Sequence, residues 1–461
     1  MMQGVSLPQQ VSYHGARLAI GLAILAPTIA LLCSPWPYLA VMPGLLAMGA
    51  VVFAVRPQWM FAAILLLIPF GAFRGPLQKI LAFGLLLLVV LQAVRDRTFP
   101  SEWKSHLWPL LLAFLCVNIL SAVLSPYRAN SIDNIILLAT ALLFFALGLR
   151  YLAHKDIFHH LPAIIGISVS LSALLAVMGF LFDIRMFLDD SEVFKRGLGG
   201  SGSAPSLAGL VIFGMPFLLH GLVSAKTAPV RVGWFIMMLM SLGGLVTTYS
   251  RGGALVCGGW LLYTIGKSLL RCPPRRLGLV LSGGAVLLVG VVCVIPPSYW
   301  ERQVSLANPE DRSLSRRTTY LKIGAEAVAE RPILGHGPGA FRKIYGASTW
   351  SLHFKGTKQH TLERYAHNSY VEVLVGTGFL GLAVFLLIPV TALWDLTRAR
   401  RCALQAGEEP LASMLSAGRA ALFCLLIYLL IYSSVYDKFL WVGIALSQVV
   451  LVRMPQREQH I

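Results

Sequence analysis

The residues of this sequence that are best suited to chemistry are one histidine and several arginines. His367 stands directly before Asn368 and Ser369, two residue types that favour helix N-caps, and before the apolar run that begins at Tyr370. An imidazole at a helix start lies at the positive end of the helix dipole, which favours its neutral, proton-accepting form. His367 is therefore a candidate general base, although most histidines at helix starts have a structural role. The rival bases are His336 in the glycine turn GHGPGAF, His353 and His360.

Arginines in loops between apolar runs are candidates for binding an anion. Arg196 lies in the glycine- and serine-rich segment KRGLGGSGSAPSLAGL, and Arg251 lies in SRGGAL, a short break between two apolar runs. Arg316 and Arg317 lie near the start of the polar segment SLSRRTTYLKIGAEAVAERP. A planar guanidinium group can donate two hydrogen bonds to one phosphate group. These arginines therefore predict a phosphate-type ligand, and the alternative is that they contact phospholipid headgroups or solvent.

The composition places these residues in a membrane protein. Of 461 residues, 57% are hydrophobic and 13% are charged, and apolar runs of about 18 residues or more recur along the chain. The run at 59–73 is short and contains Pro69 and Gly71, so it predicts a half-helix or a bent hairpin. The seven cysteines show no CxxC spacing, so neither a metal knuckle nor a disulfide framework is indicated. We expect an all-α polytopic membrane protein with about 12 (12–14) transmembrane helices.

Basic residues in alternate short loops predict the orientation of the bundle. Arginine and lysine concentrate at 95–104, 150–155, 226–231, 267–276, 398–401 and 453–457. The positive-inside rule puts these loops and both termini in the cytoplasm. The tract after Pro296 then forms one large outer loop, with an amphipathic helix in which Tyr320, Ile323 and Ala327 recur at helical spacing. The expected regions are an N-terminal bundle (1–296), the outer loop (297–367) and C-terminal helices with a short tail (368–461).

No metal or other cofactor is expected at the predicted site. The outer loops offer two partial metal motifs, Asp190 with Glu192 and His360 with Glu363. Neither motif has a second group of ligands beside it in sequence. Arginines can neutralise the charge of a departing phosphate group without a metal ion.

The order of these motifs resembles the O-antigen ligase family, whose superfamily also includes O-antigen polymerases and bacterial protein O-oligosaccharyltransferases. The resemblance rests on the segment around Arg196 and on SRGGAL, SRRTTY, ERPILGHGPGAF and AHNSYVEVLVGTGFLGL, which together span about 190 residues. It implies a metal-independent, multi-pass glycosyltransferase in the inner membrane of a Gram-negative bacterium, with about twelve transmembrane helices and a periplasmic active site. The implied reaction moves O-antigen polysaccharide from undecaprenyl pyrophosphate to the lipid A core, which completes lipopolysaccharide.

Matched motif by motif, the resemblance assigns roles to the candidate residues. The catalytic histidine falls on His367, and the pyrophosphate-binding arginines fall on Arg196, Arg251 and Arg316. The family often has tryptophan where Tyr320 stands and asparagine-rich sequence at 202–206. Further candidate site residues are Arg317, Arg128, Arg342, His336, Asn368, Tyr320 and, as acceptor contacts in the last outer turn, Asp437 and Lys438. The expected partners are the carrier-linked O-antigen, the lipid A core and membrane lipids, with no nucleic acid.

Three other functions stay open at this point. An O-antigen polymerase would share the donor and the arginines, but it often has a second long outer loop. A protein O-oligosaccharyltransferase would have a larger outer region near its C-terminus. A solute transporter or lipid flippase would need ionisable residues inside its spans, where this sequence has few. These comparisons favour the ligase, with a direct attack that inverts the anomeric centre.

Overall fold

The protein is built mainly from helices. The computed structural model describes residues 25–27, 29, 56–73, 77–96, 103–189, 195–270, 295–304, 312–353 and 363–453. The helices are α1 (Pro57–Leu67), α2 (Leu77–Asp96), α3 (Trp108–Val123), α4 (Arg128–Leu152), α5 (Lys155–Phe182), α6 (Ala204–Ser224), α7 (Ala228–Thr247), α8 (Arg251–Leu269), α9 (Pro297–Val304), α10 (Arg312–Glu330), α11 (Phe341–Ala347), α12 (Thr349–His353), α13 (Ser369–Gln405), α14 (Glu409–Tyr428) and α15 (Lys438–Arg453). The prediction of a mostly helical chain is confirmed. It is wrong only in omitting a short antiparallel pair, β1 (Leu188–Asp189) and β2 (Arg196–Gly197), between α5 and α6.

Six helices of the described part are long and apolar enough to cross a membrane: α4, α5, α6, α7, α13 and α14. Shorter apolar helices lie at Pro57–Gly71, Leu81–Leu91, Trp108–Val123 and Lys438–Val450. Three further apolar runs of the sequence, at 17–33, 38–55 and 277–295, lie almost entirely outside the described residues. The count of about twelve spans therefore stays a prediction. The same holds for the periplasmic loop and for the division into three regions.

Small residues let the central helices approach one another closely. Helix α6 packs against α5, α7 and α14, while α13 packs against α3, α14 and α15. A Cβ atom added at Gly244 of α7 would lie 2.5 Å from Ala173 of α5, and one added at Gly214 of α6 would lie 3.0 Å from Val169. Lipid tails solvate apolar surface about as well as protein does, so close packing of this kind supplies much of the attraction between membrane helices.

Helix α13 is interrupted near its start by a glycine in a left-handed conformation. Gly378 has φ 66° and ψ −170°, which breaks the regular helical hydrogen bonding. The carbonyls of Val375 and Gly376 instead accept hydrogen bonds from the backbone N–H groups of His336 and Gly337, at 2.9 and 2.8 Å. The glycine turn at 335–339 therefore satisfies backbone groups that a broken membrane helix would otherwise leave unpaired.

The same glycine turn fits against the junction of α3 and α4. The Ser121 and Ser125 hydroxyls donate to the carbonyls of Leu334 and His336, each at 2.6 Å. The Nε2 atom of His336 donates to the Ala327 carbonyl at 2.8 Å. These bonds join the polar tract that precedes α13, within residues 297–367, to the helix bundle.

The amphipathic helix α10 packs on the N-terminal end of α13. Tyr320, Ile323 and Ala327 are buried, as their helical spacing predicts. Together with Phe341 of α11 and Val375 of α13 they form a small apolar core, separate from the main core of the bundle. This packing fixes the arginine-rich half of α10 over the start of α13.

We expect Gly337→Ala to destabilise the fold. Gly337 has a φ of +105°, and an added Cβ would lie 2.3 Å from the Ser125 hydroxyl and 2.4 Å from the Ser131 hydroxyl. The backbone conformation alone should cost about 1–3 kcal/mol with a side chain present. The purified variant should therefore melt at a lower temperature in detergent than the wild type.

The matched control is Gly233→Ala on the exposed surface of α7, where an added Cβ meets nothing within 4 Å. This change should leave the melting temperature unchanged or raise it slightly, because alanine favours helix more than glycine does. Equal melting temperatures for the two variants would contradict the inference that the glycine turn leaves no room for a side chain at Gly337.

Candidate functional site

A cavity of about 300 Å³ brings together the residues that the sequence associates with catalysis and phosphate binding. Among the described residues, six arginines line it: Arg196, Arg251, Arg302, Arg316, Arg317 and Arg364. His367, Tyr320 and Tyr428 also line it. None of the described residues in the lining is acidic, so the cavity is strongly positive. We call it the arginine cavity.

Arg196 is held in place by the short sheet and by a backbone acceptor. It stands in β2, opposite Asp189 of β1. Its side chain is only 9% exposed, and its Nε atom donates to the Thr248 carbonyl at 2.9 Å. A Cβ added at Gly197 would collide with Thr247, so the strand must pass close to the end of α7. The hydrogen bond offsets part of the cost of burying the guanidinium group and fixes its position.

The junction between α7 and α8 presents Arg251 to the cavity. Tyr249 has a left-handed φ of +52°, and its carbonyl accepts a hydrogen bond from the Nε atom of Arg302 at 3.3 Å. Ser250 caps α8, because its hydroxyl accepts from the Gly253 N–H at 3.1 Å. Arg251 is the first residue of α8, and the hydrogen bonds of Tyr249 and Ser250 fix the start of this helix.

Three helices of the described part begin at this cavity. Pro205 near the start of α6, Arg251 at the start of α8 and His367 just before α13 all line it. The Tyr428 hydroxyl ties two of these starts together, since it donates to the Pro205 carbonyl at 2.9 Å and lies 3.4 Å from the Ser250 hydroxyl. Helix N-termini carry partial positive charge, so they add to the attraction for an anion.

His367 occupies a left-handed backbone position that its neighbours hold on both sides. Its φ is +51°, which is uncommon for a residue other than glycine. The Ala366 N–H donates to the Glu372 carboxylate at 2.6 Å, and the Asn368 N–H donates to the Ser433 hydroxyl at 3.1 Å. The Ser433 hydroxyl in turn donates to the same Glu372 oxygen at 3.3 Å. These bonds set the direction of the imidazole.

Tyr320 then orients the imidazole ring itself. The two ring centroids lie 6.0 Å apart, with 29° between the ring planes. Tyr320 is 2% exposed and meets Phe341 and Tyr345 edge-on, at centroid distances of 6.1 and 5.2 Å. The histidine therefore stacks on a rigid aromatic cluster.

The surroundings of His367 keep its imidazole neutral. Burial is the largest cause, and with the nearby positive charges it lowers the pKa of His367 to about 4. In decreasing order, those charges belong to Arg317, Arg364, Arg316 and Arg196. A neutral imidazole has a lone pair that can accept a proton at physiological pH. The cavity thus combines anion-binding groups with a proton acceptor.

Part of the chain is similar to known proteins. Residues 235–386 match the family model of the O-antigen ligases. The resemblance to this family is confirmed. The matched segment contains His367 and every arginine of the cavity lining described above except Arg196. The O-antigen ligase match therefore supports a glycosyl-transferring enzyme and falls on the cavity.

Three rickettsial proteins are distant relatives, and their names propose that they are polysaccharide ligases. The protein of Rickettsia prowazekii is 23% identical over 130 residues, which cover 28% of this chain and 31% of that protein. The protein of Rickettsia typhi is 22% identical over 130 residues, with the same two shares of 28% and 31%. The protein of Rickettsia conorii is 24% identical over 114 residues, which cover 25% of this chain and 27% of that protein. The similarity thus spans less than a third of the length of each relative.

Six predicted site residues lie outside the lining of the arginine cavity, and three of these are Arg342, Arg128 and His336. Arg342 pairs with Glu363 at 3.5 Å and lies over the Tyr365 ring, 4.7 Å from its centroid. Arg128 is exposed at the start of α4. His336 is 6% exposed inside the glycine turn, where its side chain supports packing.

The remaining predicted residues lie at helix starts. The Asn368 side-chain oxygen caps α13 and lies 3.0 and 3.2 Å from two of its first N–H groups. Asp437 accepts a hydrogen bond from the Phe439 N–H at 2.9 Å at the start of α15. The Lys438 ammonium lies 5.4 Å from the centroid of the Phe144 ring. Acceptor binding by Asp437 and Lys438 stays a prediction.

Sequence reasoning does not distinguish Arg302 and Arg364 from the other basic residues of the same tract. The only local signal for Arg364 is that it stands three residues before His367. Arg302 has no local signal, because its place depends on the distant Tyr249 carbonyl. Sequence reasoning also missed Glu372, although an acidic residue within an apolar run is itself a signal of function.

The described residues include no group of three or more histidine, cysteine or acidic side chains that could hold a metal ion. Of the two partial motifs, Asp190, Glu192 and His360 lie outside the described residues. Glu363 accepts a hydrogen bond from the Lys343 ammonium at 2.6 Å. Metal independence stays a prediction.

We expect Arg317→Gln to raise the pKa of His367, because it removes the largest of the charges that lower it. Diethyl pyrocarbonate modifies neutral imidazole, and mass spectrometry can follow its reaction at His367 as the pH falls. In the wild type the rate should hold down to about pH 5, because the pKa lies near 4. In the variant the rate should begin to fall at a higher pH.

The control is Lys322→Gln, which removes an exposed positive charge from the same helix. Its pH profile should match that of the wild type. Identical pH profiles for Arg317→Gln and the wild type would show that the charge of Arg317 does not lower the pKa of His367.

Proposed function

We propose that this protein is an O-antigen ligase. It transfers O-antigen polysaccharide from undecaprenyl pyrophosphate to a sugar hydroxyl of the lipid A core. One observation carries the proposal: the arginines and a neutral histidine line the same cavity. They come from separate segments of the chain, from Arg196 to His367. The family match supports the same chemistry.

The arginines hold the diphosphate of the donor. A diphosphate that leaves a sugar takes negative charge with it, and fixed positive groups lower the barrier by stabilising that charge. Arg196, Arg251 and Arg316 act as the main donors of bidentate hydrogen bonds, assisted by Arg317. The starts of α6 and α8 contribute their dipoles to the same charge. Arginines take the place that a metal ion has in many phosphate-dependent enzymes.

His367 acts as the general base. A sugar hydroxyl is a poor nucleophile at neutral pH, so a base beside it accelerates the attack. The arginine charges weaken the basicity of His367. A bound diphosphate neutralises those charges, which raises the pKa of the imidazole again. The base therefore becomes stronger when the donor is present.

The reaction proceeds in one displacement. The acceptor oxygen attacks the anomeric carbon of the first donor sugar while its proton moves to His367. The bond between the anomeric carbon and the phosphate oxygen breaks, and its electron pair leaves with undecaprenyl pyrophosphate. The imidazolium then returns its proton to the released diphosphate or to water. A single displacement inverts the anomeric centre.

The ends of the helices support a periplasmic position for the cavity. Helix α8 begins at the cavity and carries Lys267 in its last turn. Helix α7 ends beside the cavity and carries Arg231 in its first turn. The far end of α13 carries the arginines at 398–401. Because basic residues favour the cytoplasmic side, the cavity faces the periplasm of the inner membrane, with both termini in the cytoplasm.

We expect His367→Asn to lower the rate of glycan transfer by about 10²–10⁴-fold, since it removes the base. Asparagine tolerates a left-handed conformation as histidine does, so the φ of +51° should be kept. Donor affinity and the melting temperature should stay near the wild-type values. Transfer is measured in proteoliposomes with undecaprenyl-pyrophosphate-linked glycan and lipid A core.

The control for this variant is His159→Asn on the exposed surface of α5, which should transfer at the wild-type rate. Transfer by His367→Asn at that rate would remove the histidine from the mechanism. The same wild-type proteoliposomes also receive, separately, a second carrier-linked glycan and an acceptor protein. Sugar on the second carrier would identify a polymerase, and sugar on the protein would identify an O-oligosaccharyltransferase.

We expect Arg251→Ala to weaken donor binding by about 10–100-fold, the loss of a charge-assisted hydrogen-bond pair. Arg251→Lys should restore the charge but not the two-fold hydrogen bonding, so its donor KM should fall between those of the wild type and the alanine variant. The matched control is Arg185→Ala, an exposed arginine in the turn after α5. If the donor KM of Arg251→Ala equals that of the wild type, Arg251 does not bind the diphosphate and the proposed diphosphate site is wrong.

A further inference from the structure

A second cavity, of about 230 Å³, lies beside the arginine cavity. Its polar lining includes Asn118, Asn134, Tyr365, Glu372, Ser433 and Tyr436. No lysine or arginine occurs among the described residues that line it. We call it the amide cavity. The described lining of the amide cavity therefore has no basic side chain, whereas that of the arginine cavity is rich in them. The two cavities nevertheless share walls.

The segment before α13 forms the first shared wall. Arg364 and His367 line the arginine cavity, whereas Tyr365, between them, lines the amide cavity. The connection after α14 forms the second wall. Its Ile431 lines the arginine cavity, and the residues at 433–436 line the amide cavity. The segment that carries the candidate base therefore lies between the two cavities.

The polar groups of the amide cavity suit a ligand that both donates and accepts hydrogen bonds. Asn118 is 2% exposed and donates to the Phe114 carbonyl at 2.7 Å, and Asn134 donates to the Asn130 carbonyl at 2.8 Å. In the described part of the chain, neither amide oxygen takes part in a hydrogen bond. Both amides thus offer acceptors to a ligand that brings hydroxyl groups.

Glu372 adds a carboxylate to this lining. One of its oxygens accepts from the Ala366 N–H and the Ser433 hydroxyl, at 2.6 and 3.3 Å. Its second oxygen has no hydrogen bond to any described residue. Tyr436 lies in the same lining, and burial together with the Glu372 charge raises the pKa of Tyr436 so that it stays a neutral donor.

We propose that the amide cavity binds a neutral sugar unit of the acceptor glycan; this inference rests on the proposed transfer reaction. Sugar hydroxyls match the amides, hydroxyls and carboxyl group, whereas a phosphate would meet no lysine or arginine in the described lining, and an acyl chain would leave these polar groups without hydrogen bonds. The aromatic rings of Phe114, Tyr365 and Tyr436 provide apolar surface for the C–H groups of a sugar ring. The volume is below that of sites for drug-sized ligands, which favours a single ring.

The acceptor is favoured over the donor glycan because of the bonds around the base. Glu372 and Ser433 hold the backbone on both sides of His367, the residue that takes the proton of the acceptor hydroxyl. The arginines proposed to hold the donor diphosphate line the opposite side of the same segment. A sugar on the Glu372 side can therefore position a neighbouring acceptor hydroxyl near the imidazole.

The test uses two variants that spare the bonds around His367. Asn134→Leu fills part of the amide cavity, and Tyr436→Phe removes one hydroxyl group. In the proteoliposome assay we expect each variant to raise the KM for the acceptor, by about tenfold for Asn134→Leu. The donor KM and kcat at saturating acceptor should stay near the wild-type values. Matched controls are Thr140→Val on the exposed surface of α4 and Tyr263→Phe on the exposed surface of α8.

A binding experiment makes the test independent of transfer. Saturation-transfer NMR with the water-soluble oligosaccharide released from the acceptor should show contact with the wild type and with both controls, and weaker contact with Asn134→Leu. An unchanged acceptor KM together with unchanged oligosaccharide contact would overturn the inference. A rise in donor KM instead of acceptor KM would also overturn it. If the wild type transfers no glycan to any acceptor, the proposed function fails, and the NMR result alone decides whether the cavity binds sugar.

Discussion

Repulsion among like charges is the constraint on which this site depends. Several guanidinium groups line one small cavity, and the described lining contains no acidic residue. The fold has to hold them there: Arg196 and Arg302 are anchored on the backbone carbonyls of Thr248 and Tyr249. Repulsion among these groups costs stability, and the diphosphate proposed as the ligand would offset it. An anion-binding site of this kind is organised before its ligand arrives.

The backbone is strained at the two places that aim the key side chains. Tyr249 and His367 both have left-handed φ values, and each stands directly before a helix start or its cap. Such positions cost about 1–3 kcal/mol each and persist only where surrounding bonds impose them. For His367 those bonds come from Glu372 and Ser433, which face the amide cavity. The two cavities are therefore mechanically linked through the residue between them.

The broken helix α13 connects the polar tract to the bundle. A break in a membrane helix leaves backbone groups to be satisfied, and the glycine turn supplies the matching N–H groups. The same turn is held by the serines of α3 and its C-terminal end, and α10 packs over it. The arginines of α10 and the histidine before α13 are thus held at a fixed distance from β2 and α8, which carry Arg196 and Arg251.

The sequence by itself determined the helical membrane character, the family resemblance and the individual candidates. Those depend on local properties: apolar run length, the N-cap after His367 and motif order. Only the tertiary structure decided which basic residues meet. Arg128 and Arg342, which the sequence offered as further candidates, lie outside the arginine cavity, while Arg302 and Arg364, which it did not single out, line it. Their meeting depends on contacts between segments more than fifty residues apart, such as Arg302 with Tyr249, and no local spacing or charge pattern encodes such contacts.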